Sequence, residues 1–81
     1  MKIIIRSPLH KQARAELSEV YKKICTLLKK RNFIPLQVFT PVYEGNTLTL
    51  EFRQTEHVIL VLNELRWLLA QKATWNYEVL R

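Results

Sequence analysis

Apolar residues recur along this 81-residue chain with two different periods. From Pro8 to about Lys30, the residues Leu9, Ala13, Leu17, Val20, Tyr21, Ile24, Leu27 and Leu28 return every three or four positions. They fall within an arc of roughly 120° on a helical wheel, which predicts one long amphipathic helix. The preceding "SP" suits its start, since Ser7 can cap free amides and Pro8 fits the first helical position. "NFIP" ends it, and the period then shortens to two. Leu36 to Tyr43 and Thr47 to Arg53 read as strands joined through Gly45-Asn46, a pair suited to a two-residue hairpin turn. That turn sets Phe39 opposite Phe52, Pro41 opposite Leu50 and Tyr43 opposite Leu48 on one face. The other face carries Val38, Thr40, Val42, Thr47, Thr49, Glu51 and Arg53. Pro41 has no amide hydrogen to donate, which places its strand at an edge.

Two further strands and a second helix complete the pattern. Lys2 to Arg6 is a short β-branched run, and near the end Trp75, Tyr77 and Val79 alternate with Asn76, Glu78 and Leu80. Between hairpin and last strand, a helix from Thr55 to about Lys72 turns Val58, Val61, Leu62, Leu65, Leu68 and Leu69 inward, with Thr55 at its cap. The order is β-α-β-β-α-β. With right-handed crossovers it resembles a ferredoxin-like α+β sandwich, a four-stranded antiparallel sheet with two helices on one face. The resemblance covers residues 1–81 as a single domain but rests on element order, and this architecture hosts many unrelated functions.

Charge adds what the periods do not show. The formal net charge is +6, and it is unevenly placed. Residues 1–31 hold nine Lys or Arg against two Glu, whereas residues 32–81 hold four against five. Such asymmetry points to an anionic partner, DNA or RNA first, or an acidic protein surface. On the wheel of the first helix, Arg14, Lys11, Lys29 and Lys22 lie on one flank between about 60° and 140° from Leu17, with no carboxylate among them. The opposite flank mixes Lys23 and Lys30 with Glu16 and Glu19, and Glu19 to Lys23 is the favourable i, i+4 order. The first flank, extended by Arg6, is the expected nucleic-acid-binding surface: Arg6, Lys11, Arg14, Lys22 and Lys29, acting on phosphates with little base readout. A plain solvated helix face is the alternative reading of the same residues. "RSPLHK" also gathers Arg6, Ser7, His10 and Lys11 near the helix start, where an anion is favoured.

The second helix carries an apolar pair on its wrong side. Leu60 and Trp67 lie about 180° to 200° from Val58, opposite the inward arc, as an aromatic anchor for a protein partner would. The chain therefore also reads as a small protein-interaction module using these two residues, or as a homodimer through Ile4, Val38, Val42 and Leu80 on the open sheet face. That open face holds no ring in this register, which disfavours base stacking of the RNA-recognition-motif kind.

Catalysis, cofactors and metals find little footing. Cys25 is the sole cysteine, there are two histidines and no aspartate, and so neither histidine has a nearby Asp to orient it. The expectation is a non-enzymatic regulatory protein without cofactor or metal. No signal-peptide core or membrane-length apolar run is present, so a cytoplasmic location away from the membrane is expected.

Overall fold

The computed structural model describes residues 1–8, 11–72 and 74–81. Its elements run β1 (Lys2–Arg6), α1 (Ala13–Lys30), α2 (Pro35–Val38), β2 (Phe39–Glu44), β3 (Thr47–Phe52), α3 (Thr55–Ala70) and β4 (Asn76–Leu80). The fold is α+β, with one four-stranded antiparallel sheet in the order β2-β3-β1-β4. It is compatible with the ferredoxin-like arrangement, with a four-residue helix, α2, added before the hairpin. Among the described residues no helix is long and apolar enough to cross a membrane.

The hairpin forms in the expected register: Phe39 faces Phe52, Pro41 faces Leu50 and Tyr43 faces Leu48, with Pro41 on an edge strand. Gly45 takes a φ of +55°, which a residue without Cβ adopts at little steric cost. Ile3 and Ile5 of β1 pair with Leu50 and Leu48, so one sheet face is continuously apolar. Onto it pack Leu17, Val20, Ile24 and Leu28 of α1 and Val58, Val61, Leu65 and Leu69 of α3, forming one core cluster.

Three boundaries differ from the expectation, each for a local reason. First, α1 begins at Ala13 rather than Pro8, with Gln12 in the cap position. The backbone of Ser7 is tied to the hairpin turn: its amide donates to Asn46 O at 3.0 Å, and Asn46 Nδ2 donates back to Ser7 O. A residue bonded into a sheet extension is not free to start a helix. Leu9 and His10 lie outside the described residues, and Arg6 is bonded instead to Glu78 across the sheet.

Second, the strand expected from Leu36 starts only at Phe39. Pro35 occupies the first helical position and Gln37 N donates to Ile34 O at 2.9 Å, closing one helical turn. Val38 is consequently buried at 1% exposure instead of facing solvent on the open sheet. Arg53, also expected on that face, follows the end of β3 and donates from its guanidinium to Leu36 O, while its amide donates to Val38 O at 3.2 Å. Third, Thr55 is the first residue of α3 rather than its cap; Gln54 holds that place without a side-chain bond.

The end of α1 is sharp. Asn32 adopts a φ of +64°, its amide donating to Lys29 O at 3.0 Å while the Phe33 amide donates to Leu28 O at 2.8 Å. This left-handed cap satisfies carbonyls that the last turn would otherwise leave open. It fixes where the basic C-terminal half of α1 stops.

Candidate nucleic-acid interface

Helix α1 buries Ala13, Leu17, Val20, Ile24 and Leu28, and that choice decides which side chains it shows to water. Arg14, Lys22, Lys23, Lys29 and Lys30 are exposed on it, with Lys11 just before and Arg31 just after. From Lys22 to Arg31, the second half of the helix and its cap contain five cations and no carboxylate. Lys22 and Lys29 are seven residues apart, about 10 Å along the axis and nearly in line. Lys29 and Lys30 also sit in the last turn, where the helix dipole favours positive charge.

Arg14 closes the other end of the stripe by resting on an aromatic. Its guanidinium carbon lies 3.9 Å from the centre of the Tyr43 ring, and Tyr43 in turn meets Tyr21 edge-on at 6.4 Å. Tyr21 also packs against Phe39 at 5.8 Å. Burial, a side-chain hydrogen bond with Cys25, and the charges of Cys25 and Tyr43 push the Tyr21 phenol up to about 12 from its ordinary 10.0. A raised acid is favoured in its protonated, folded form, so the stabilisation is complete below pH 10 and declines as pH climbs toward 12. In thermal unfolding at several alkaline pH values, wild type should therefore lose stability relative to Tyr21→Phe as pH rises across that window, because the variant lacks the titrating group; a constant difference would contradict the assignment.

The open face of the sheet is electrostatically quiet. Lys2 pairs with Glu51 at 3.1 Å and Arg6 with Glu78 at 2.6 Å, both across neighbouring strands. Arg6 alternates along β1 with the buried Ile3 and Ile5, so its side chain projects on the face away from the helices. The structure thus removes Arg6 from the expected binding surface: it is separated from α1 by the sheet and already matched. Thr40, Val42, Glu44, Thr47, Thr49, Ile4, Asn76 and Leu80 complete this face, and none of its residues is aromatic.

Lys11, Arg14, Lys22 and Lys29, by contrast, form no ion pair among the described residues. Lys23 and Glu19 do not meet despite their i, i+4 spacing, which leaves Lys23 uncompensated as well.

Leu60 and Trp67 part company. Trp67 is 78% exposed, as expected, but Leu60 is half-buried and packs against the core cluster, so the two do not form one apolar anchor. Leu60 lies one turn beyond His57, whose ring packs edge-on against Phe33 at 5.1 Å and whose Nδ1 is buried without a partner. The segment following α1 therefore covers a flank of α3 that periodicity alone leaves bare. Trp67 instead borders a cleft between the two long helices, lined by Lys23, Trp67, Leu68, Gln71 and Lys72. Sequence reasoning assigned Lys23 to a neutralised flank and gave Lys72 no role. The missing signal is the pairing of helices, which brings charges from separate segments to one aromatic.

No family model, curated protein or solved structure matches this chain.

Proposed function

We propose that the protein is a non-enzymatic nucleic-acid-binding domain whose contact surface is the outer side of α1, with Lys11, Arg14, Lys22 and Lys29 placed against phosphates. One contrast carries this reading. The cations of the sheet face, Lys2 and Arg6, are each bonded to a glutamate, whereas those of α1 have none. Uncompensated charge on one face repels itself in the free protein and is relieved when phosphates replace the missing carboxylates. The absence of rings on the sheet face favours a helix-borne surface over a sheet-borne one.

The size of the effect follows from counterion release. Four phosphate contacts give a slope of about −3.6 in log affinity against log salt for a duplex, or roughly a 100-fold loss between 50 and 200 mM salt. Anisotropy of a labelled oligonucleotide titrated with protein at those two concentrations measures it. Failure to bind at the lower concentration, or binding indifferent to salt, would dispose of the proposal.

A further inference from the structure

We infer that the cleft between α1 and α3 receives an unpaired nucleobase on the indole of Trp67, with the adjoining phosphates against Lys23 and Lys72, so that the strand this protein prefers is single. The inference rests on the phosphate-binding reading above and adds to it a ligand class and a second set of contacts.

Trp67 is the most exposed large hydrophobic side chain among the described residues, at 78%, ahead of Leu36 at 64% and Ile59 at 63%. Its neighbours separate it from those two. The cleft it borders brings Lys23 from α1 and Lys72 from beyond α3 to the same opening, with Gln71 as a further hydrogen-bonding group and no carboxylate in the lining. Lys72 is half-buried, and its Nζ sits 4.8 Å from the centre of the Trp75 ring, which steadies it at the cleft. An aromatic anchor for a protein partner is normally set among apolar and aromatic residues, with lysine depleted. A flat ring that shares one cleft with two lysines instead matches a ligand that is flat and apolar on one part and anionic on the next, which is what a nucleotide presents.

The path to this cleft is short. On the second half of α1, Lys22 and Lys29 lie on one side of the outward line and Lys23 and Lys30 on the other, about 100° apart on the helix. A strand crossing the helix, whose diameter is about 10–12 Å, moves from the stripe to the cleft within roughly three nucleotides. The bases of a duplex are stacked inside it and do not reach an indole on a convex helix flank, so the contact selects an unpaired strand.

The test uses the full chain with three fluorescent probes: an oligodeoxythymidylate about 15 nucleotides long, an abasic strand of the same length, and a duplex. Trp67→Ala should weaken binding to oligodeoxythymidylate roughly 5- to 150-fold, the range for losing one stacked base. The salt slope should stay as in wild type, because no cation is lost. Trp67→Phe should keep most of the affinity, and the abasic strand should bind wild type and Trp67→Ala alike. Circular dichroism confirms that these exposed-site variants fold. If Trp67→Ala binds oligodeoxythymidylate as wild type does while the salt dependence persists, the stacking inference falls and the phosphate reading stands. If wild type binds none of the three probes, both are overturned.

Discussion

Phe39→Ala is expected to destabilise the fold by about 3–5 kcal/mol, the range for truncating a buried phenylalanine. The side chain is 0% exposed, and its ring meets Phe52 at 5.4 Å and Tyr21 at 5.8 Å. It is therefore the point at which β2, β3 and α1 share one contact. The variant loses the transfer energy of the ring and the aromatic pair terms, and it leaves a hole that three separate elements would have to close. A domain of this length has roughly 4–12 kcal/mol of total stability. The substitution should consequently leave much of the chain unfolded at ordinary temperature, seen as a loss of the cooperative transition in a urea titration monitored by tryptophan fluorescence. A midpoint within experimental scatter of wild type would mean that the shared contact is not where the core is held.

That residue also shows what the sequence discloses and what it leaves hidden. The two-residue turn at Gly45-Asn46 permits one register, and from it follow the core face of Phe39, the edge position of Pro41 and the ringless open face. These are local consequences of a turn and a period of two. The start of α1 was less accessible, because Ser7 is held by Asn46, 39 positions away, and no local preference reports a bond of that range. For the same reason Val38 read as a strand residue: an alternating pattern does not distinguish it from one turn of helix begun by Pro35.

The candidate surface divides in the same way. The wheel alone places Arg14, Lys22 and Lys29 on one flank of one helix, and the structure shows them exposed and without carboxylate partners. Nearness in sequence groups Arg6 with them, yet alternation along β1 sends it to the other side of the sheet. The Trp67 cleft was invisible because it depends on how α1 and α3 lie together, and each helix taken singly shows only half of it.

A large and sequence-independent loss of binding is expected from Lys22→Gln combined with Lys29→Gln. Both residues are exposed and make no ion pair among the described residues, so their loss should leave stability within about 0.5 kcal/mol of wild type. Binding is another matter. Each lysine removed takes away one neutralised phosphate, so counterion release predicts that affinity for a duplex at 0.1 M salt falls by roughly 60-fold. A uniform loss across oligonucleotide sequences is expected, because phosphate contacts position the strand without reading it.

The salt slope of this double variant beside wild type tests the helix-borne surface most directly, since it counts phosphate contacts rather than measuring affinity alone. On a duplex probe, from 50 to 200 mM salt, wild type should weaken about 100-fold and the variant only about 10-fold, the slope having fallen by roughly two units of log affinity per log salt. Equal slopes for the two proteins would show that nucleic acid, if bound, is held somewhere other than α1.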